Sequence, residues 1–273
     1  MNRDSGKNVF TKPELTVEDL SIALYQTNLK LAETNRRLIE SEKKRSELLA
    51  NISHDLRSPI TTLHGYVEYL LSFEQPDEYE VFLTLNQMLG KLHSLDHLLN
   101  EMLLITSLDY PDDKFALRPI PIGGYLTDFF NSCKADKKYA QRGLLLKLPD
   151  NCPHYVVINP EMFARVLDNL FTNALKYSTQ NDKIILEACL KGTDVIISVT
   201  DTGIGIDHKD LRRIFERTYM VSDSRTPGSG EGCGLGLSIA ASIMGRHDGQ
   251  IWCESTLGKG STFYLSLPLY VPD

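Results

Sequence analysis

Between Val17 and Met102 apolar side chains recur at steps of three and four residues with one interruption, a spacing that commits this part of the chain to long helices. In the first stretch Val17, Leu24, Leu31, Leu38 and Ile52 share one heptad position, broken by Arg45, while Leu20, Thr27, Thr34, Ser41 and Leu48 share the other. Hydroxylated residues and an arginine in such a seam predict a weak two-stranded coiled coil; a lone helix packed on its own domain accounts for the pattern equally well. Past Lys44 the stripe runs through Ile52, Leu56, Ile60, Leu63, Val67 and Leu70, the spacing of one face of a buried helix. It stops at Phe73–Glu78, where Gln75, Pro76 and Asp77 read as a break. Val81, Leu85, Met88, Leu92, Leu95, Leu99 and Met102 then form a second, narrow seam. Two antiparallel helices striped in this way cannot hide their apolar faces in one hairpin, so a homodimeric four-helix bundle is expected.

The polar run Asp109–Lys114 marks a domain boundary, and beyond it the period changes. Strand-like runs occur at Leu117–Ile122, Leu144–Leu148, Tyr155–Ile158, Lys183–Leu190, Asp194–Thr200, Gln250–Glu254 and Thr262–Leu267. Helical stripes lie between them at Tyr125, Phe129 and Cys133, at Phe163, Val166, Leu167 and Leu170, and at Leu235–Met244. The expected architecture is α + α/β: a helical hairpin followed by a mixed sheet with helices packed on it, Lys183–Leu190 and Asp194–Thr200 running antiparallel through a short turn. The length of 273 residues suits about two domains. Residues 1–13 are expected to be an unstructured lead, 14–44 the weak coiled coil, 45–109 the hairpin and 115–273 the α/β domain.

Composition narrows the function. With 24% charged and 42% hydrophobic residues the chain reads as a soluble globular protein. Its longest stretch free of Asp, Glu, Lys and Arg, Gly232–Gly245, is too short to span a bilayer, and the first residues do not read as a secretory signal. Five widely spaced cysteines, never in a C-x-x-C pair, argue against a disulfide framework or a zinc site and for a reducing cytosol. A net charge of −7, without a basic patch interleaved with aromatics, makes nucleic acid an unexpected partner.

Four places carry chemistry. His54 lies two residues from Ile52 and from Leu56, about 200° away from each around a helix, so it points from the apolar stripe toward solvent. Asp55 can take one imidazole N–H and leave the other nitrogen its lone pair, and Ser58 stands one turn on along the same face. Pro59 removes the N–H that would bond the Asp55 carbonyl. The other six histidines read as solvent-facing or satisfied polar residues. Asn169, Asn173 and Lys176, at steps of four and three, share one helix face suited to a magnesium polyphosphate, although alone that face also reads as ordinary solvated surface. Asp201 ends a strand and is followed by Gly203 and Gly205, which permit a tight turn and close backbone approach. A dinucleotide fold fails here because no third glycine and no βαβ unit surround the turn. A glycine cluster from Gly228 to Gly236 leads into a helix start whose N–H groups favour phosphate oxygens. Asp207–Cys233 before it reads as a lid or as a plain surface loop.

The string Ser53-His54-Asp55-Leu56-Arg57-Ser58-Pro59-Ile60 closely resembles the phosphoacceptor box of sensor histidine kinases of two-component systems. Asn169-Leu-Phe-Thr-Asn173-Ala-Leu-Lys176-Tyr177 resembles the asparagine box of that family, Asp201-Thr-Gly203-Ile-Gly205-Ile its first glycine box, and Ile214-Phe215-Glu216-Arg217 its phenylalanine box. Gly232-Cys-Gly234-Leu235-Gly236-Leu resembles the second glycine box and Gly258-Lys-Gly260-Ser-Thr262-Phe the last. The order holds over roughly residues 45–268, and six boxes in order are far more specific than one. The resemblance implies a Bergerat-type ATP-binding lobe that phosphorylates His54 from ATP with Mg²⁺. It implies onward transfer to an aspartate of a response-regulator receiver domain docked on the hairpin, and a homodimer. Carried over residue by residue, Asn173 ligates Mg²⁺, Lys176 offers positive charge, Tyr177 stacks near adenine and Asp201 accepts from the adenine amine. Asn169, Gly203, Gly205, Gly232, Gly234, Leu235, Gly236 and Thr262 complete the ATP contacts.

The related gyrase-type ATPases place a water-activating glutamate in this helix. Asn169 stands at that position and cannot take a proton, so hydrolysis should be slow. Thr218-Tyr219-Met220 departs from the usual continuation of the phenylalanine box, and Ser58 stands where the family has Thr or Asn, which makes phosphatase activity a hypothesis. A silent scaffold or phosphatase would have lost the acceptor or magnesium residues, and a serine-kinase switch protein would lack the hairpin. The chain is expected to act in the cytoplasm, alone or as the cytoplasmic part of a membrane-bound sensor.

Overall fold

The computed structural model describes residues 16–74, 77–108, 115–149, 154–217, 219 and 234–271. The expected lead at 1–13, Gln75 and Pro76 of the expected break, and the boundary at 109–114 lie outside the described residues. The chain divides into two compact units, one up to Asn51 and one from Ile52.

The first unit is the initial part of α1 (Val17–Leu71). Its seam is exposed: Leu24 is 64%, Leu31 57% and Leu38 63% accessible. Thr27 and Thr34 donate their hydroxyls to the carbonyls of Ala23 and Lys30 four residues back, at 2.7 and 2.8 Å. Those hydroxyls are thus satisfied within the helix, and what the seam offers a partner is their methyl groups.

The second unit begins with the rest of α1, which accommodates Pro59, and continues with α2 (Glu78–Leu108), whose first turn carries Glu78 and Glu80 where the helix dipole favours acid. The α1 stripe is not buried as its spacing suggests: Ile52 is 3% accessible, but Ile60 is 55% and Val67 42%. On α2 the expected seam splits into two columns. Val81, Met88, Leu95 and Met102 are half-buried, whereas Leu85, Leu92 and Leu99 are about half exposed. Within the single chain the second column stays uncovered. Leu98 and Ile105 of α2 are buried, and α2 also meets the last helix of the α/β lobe.

The lobe consists of β1 (Arg118–Pro121), α3 (Ile122–Ala135), β2 (Gly143–Lys147), β3 (Tyr155–Ile158), α4 (Pro160–Lys176), β4 (Lys183–Lys191), β5 (Asp194–Asp201), α5 (Gly236–Arg246), β6 (Gln250–Thr256) and β7 (Gly260–Tyr270). The sheet order is β1-β3-β7-β5-β4-β2, and β6 pairs with β7. Only β2–β4 is parallel, so the sheet is mixed as expected. β4 and β5 form the antiparallel hairpin that the sequence predicts, closed by Gly192 at φ +65°. Burial alternates along β5, with Val195, Ile197 and Val199 inside. Helices cover that face, and Phe163, Val166, Leu167 and Leu170 of α4 are fully buried.

On α3 the structure corrects the expected stripe. Leu126 and Phe130 are buried beside Cys133, while Tyr125 and Phe129 are half-buried at its edge. Tyr125 lies there because its hydroxyl reaches the Pro160 carbonyl at 2.6 Å, and Phe129 meets Phe171 edge-on.

Candidate active site

His54 stands on α1 with its side chain 80% accessible, as its position opposite the apolar stripe requires. Its Nδ1 is 3.1 Å from Asp55 Oδ1. A carboxylate at that nitrogen favours the tautomer with hydrogen on Nδ1, leaving Nε2 with a lone pair facing water. Ser58 is exposed one turn on, and Pro59, half-buried, sits between Ser58 and the exposed Ile60. These residues form one group, and the remaining candidates form another within the α/β lobe.

α4 starts with Asn159 capping the Met162 N–H at 3.0 Å and Pro160 at the first helical position. At its other end Asn173 Nδ2 donates to Asn169 Oδ1 at 2.9 Å, so the two amides share a face as their spacing predicts. With its nitrogen engaged, the Asn173 oxygen is left to serve a hard cation. Asn169 lies in the space where a Cβ on Gly236 would stand, which fixes the start of α5 against the asparagine pair. Leu235, fully buried, precedes α5, and no side chain caps the helix there, so its first N–H groups are a site for oxyanions. Gly234 takes φ +66°, a conformation natural to glycine. Gly232 lies outside the described residues, as do Gly228 and Gly230. Lys176 Nζ lies 5.3 Å from the centroid of the Tyr177 ring.

Asp201 is 5% accessible at the end of β5. Burial pushes its carboxyl above the ordinary range, while backbone N–H groups of Gly203 and Ser261 oppose that rise. The Gly203 N–H reaches Asp201 Oδ1 at 2.9 Å, and Gly203 itself packs so closely on the Tyr177 carbonyl that a side chain there has no room. The Ile204 N–H donates to the same carbonyl at 3.0 Å. Thus α4 and the loop after β5 are joined at Tyr177. The last glycine box supports this loop from behind: Gly258 N–H donates to Ile204 O at 2.7 Å, and Ile206 N–H to Ser255 Oγ at 2.8 Å. Gly205, at φ +70°, abuts the Thr256 carbonyl. Thr262 shares a hydroxyl contact of 3.0 Å with Thr200 across β5 and β7.

The segment after Asp207 is built in its first half: Ile214 is 5% accessible, and Tyr219 donates its hydroxyl to the buried Asp210 at 2.6 Å beneath the Arg213 guanidinium. Thr218, Met220 and the remainder of the expected lid lie outside the described residues. The sequence marks His247 only as satisfied or solvent-facing, and the structure gives it a definite place. It is 3% accessible, accepts the Asn159 N–H on Nε2 at 2.9 Å and donates from Nδ1 to Ile243 O at 2.8 Å, joining the head of α4 to the tail of α5. Nothing in its local sequence signals that long-range bond.

Two family descriptions match the chain: the His Kinase A (phospho-acceptor) domain over residues 44–111, and the histidine kinase-, DNA gyrase B-, and HSP90-like ATPase over residues 158–271. The chain belongs to the sensor histidine kinases. It is 34% identical over 231 residues to the sensor histidine kinase WalK of Bacillus subtilis, a match covering 83% of this chain and 37% of that protein. It is likewise 34% identical over 248 residues to the phosphate regulon sensor protein PhoR of Pseudomonas aeruginosa, covering 89% of this chain and 54% of PhoR. The chain therefore spans about half or less of these relatives. Among solved structures, histidine kinase ThkA in complex with response regulator protein TrrA superposes with a TM-score of 0.67 at 21% identity, covering 89% of this chain and 67% of that one, which establishes the shared fold. The string Ser53–Ile60 lies in the first matched region, and both asparagines, Asp201 and the described glycines lie in the second.

Proposed function

We propose that this chain is an ATP-dependent protein-histidine kinase that phosphorylates His54 and passes the phosphoryl group to an aspartate of a response regulator. The observation that carries the reading is the exposed His54 ring, with Nδ1 held 3.1 Å from Asp55 and Nε2 open, on a chain that also has the asparagine pair and buried carboxylate of an ATP lobe. In the first step the Nε2 lone pair attacks the γ-phosphorus, an N–P bond forms, and the bond to the bridging oxygen breaks with its electron pair leaving on ADP. Asp55 stabilises the proton on Nδ1 as positive charge develops on the ring. In the second step a receiver aspartate oxygen attacks the same phosphorus and the N–P bond breaks, returning its electrons to the imidazole.

Asp201 would accept the adenine amine, with Tyr177 beside the base, and the uncapped start of α5 with Gly234 and Gly236 would receive phosphate oxygens. Among the described residues no three His, Cys, Asp or Glu side chains converge on a metal site. The Asn173 amide oxygen, together with phosphate oxygens of the nucleotide, would hold a magnesium ion, which would supply neutralisation of phosphate charge. Asn169, bonded to Asn173 and packed on Gly236, supplies no base for water, which keeps the γ-phosphoryl for the histidine.

The exposed columns on α1 and α2 support a homodimer through the hairpin at 45–109, with 14–44 as the signalling helix and 115–273 as the catalytic domain. No described helix is long and apolar enough to cross a membrane. We place the kinase in the cytoplasm, by itself or as that part of a membrane-bound sensor.

Transfer from γ-labelled ATP tests the reading. Parent protein should acquire an acid-labile, base-stable label, and His54→Gln should acquire none. Equal labelling of the two would overturn the assignment of the acceptor, and equal labelling of Asn173→Asp and parent would remove the magnesium ligand.

A further inference from the structure

Two segments enclose the purine side of the proposed ATP cradle: Tyr177–Thr179 after α4 and Asp201–Gly203 after β5. Inside, they touch through the Tyr177 carbonyl, which receives the Ile204 N–H and seats Gly203. Outside, one carboxylate that belongs to none of the motifs ties them together. Asp182 Oδ2 accepts the Thr179 N–H at 2.6 Å and the Thr179 hydroxyl at 2.8 Å, and Asp182 Oδ1 accepts the Thr202 hydroxyl at 2.9 Å. Thr202 is then held on both sides, since its Oγ1 accepts the Lys183 N–H at 3.0 Å and its own N–H donates to Lys183 O at 3.2 Å. Arg142 closes the corner, donating from Nε to Ser178 Oγ at 3.1 Å and from Nη2 to Ser178 O at 2.9 Å.

Thr202 is the residue between Asp201 and Gly203, so fixing it fixes the direction of the carboxylate on one side and the tight approach to Tyr177 on the other. Thr179 is two residues beyond Tyr177, so the same acceptor sets where that ring can lie. We propose that Asp182 is a positioning residue for purine recognition: it holds the Tyr177 and Asp201 walls at the separation adenine requires without touching the nucleotide. The inference rests on the reading of the lobe as an ATP site. The Thr179 N–H and the two hydroxyls keep the Asp182 carboxyl below the ordinary carboxylate range, so both its oxygens act as acceptors at neutral pH. Asp182 lies on the half-exposed rim rather than in the core, so its main effect is on geometry and not on the stability of the lobe.

The test uses the full chain, with ATP and GTP as probes, binding followed by calorimetry and labelling followed over a range of ATP. Asp182→Ala should weaken ATP binding by about tenfold, the loss of charge-assisted hydrogen bonds, and narrow the preference for ATP over GTP. KM for ATP should rise while the labelling rate at saturating ATP changes far less. Thr202→Val should reproduce the effect, Thr202→Ser should restore parent behaviour, and Asp182→Ala with Thr202→Val should be no worse than either alone, because all break one linkage. Circular dichroism on each variant separates this from misfolding, and if Asp182→Ala does not fold, the Thr202 pair decides. Unchanged ATP affinity and preference in Asp182→Ala and Thr202→Val, or a fall in saturated rate with KM unchanged, overturns the proposal. Asp201→Asn separates the two levels. If it too leaves the ATP preference intact, the ATP reading of Asp201 fails; if it abolishes the preference while Asp182→Ala does not, only the positioning role fails.

Discussion

The helical part and the α/β lobe of this histidine kinase use apolar residues in opposite ways. In the lobe nearly every large side chain facing the helices is buried, and among the described residues no buried side-chain polar atom lacks a partner. Along α1 and α2, leucines at regular heptad intervals stand in water: Leu24, Leu31 and Leu38 in one helix, Leu85, Leu92 and Leu99 in the other. A region that closes its core within one chain can bind a small ligand by itself. A region that leaves a periodic column uncovered specifies an assembly instead. In the proposed function nucleotide binding falls to the lobe and assembly to the helices, and each half can be broken separately.

The largest effect is expected on α2. Leu92→Lys should raise the dissociation constant of the dimer by about a hundredfold or more, since burial of each leucine contributes ~1.5–3 kcal/mol and two copies are lost per dimer. Sedimentation equilibrium measures it, and nucleotide binding by the lobe should be untouched. An unchanged oligomeric state would erase the contrast. In the lobe, Gly205→Ala puts a Cβ against the Thr256 carbonyl at a positive φ, and should cost about 2 kcal/mol or more in urea unfolding with dimerisation intact.

The lobe should also respond to acid through His247. Burial lowers the affinity of this ring for a proton below the ordinary histidine range, so as pH falls below about 6.5 the unfolded chain takes the proton first. The contribution of His247 to the stability of the lobe should be level above that pH and decline below it, by at most about 1.4 kcal/mol per unit, until the folded-state value is reached. His247→Gln should flatten the decline; an equally steep decline in that variant would place the acid sensitivity elsewhere. The smallest effect belongs to the seam of the first unit. Thr27→Val with Thr34→Val removes hydroxyls already satisfied by the helix, and should stabilise the helical part by about 1 kcal/mol or less, visible only when melting is followed over a range of protein concentration.

Much of this organisation is readable along the chain. All seven strands fall within a few residues of their expected limits because alternation and short turns are local, and the α4 stripe is legible because Phe163, Val166, Leu167 and Leu170 all face one core. Where sequence and structure part, contacts between distant segments decide the outcome. Tyr125 and Phe129 carry the right spacing for α3, yet a hydroxyl bond to Pro160 and an edge contact with Phe171 hold them at the margin while Leu126 and Phe130 fill the centre. The phosphoacceptor and asparagine boxes are visible as strings. The outer tie of Asp182 to Thr202, the Ser255 latch on Ile206 and the bridge from His247 to Asn159 are not, because each joins residues whose proximity exists only after folding.

The seat of Asn169 against Gly236 couples the middle of α4 to the entry of α5. A glutamate at position 169 would bring one more methylene and a negative charge toward the backbone of Gly236, where an amide now packs. A longer side chain at 169 would have to be accommodated at the entry to α5, so these two positions, far apart in the sequence, are expected to change together.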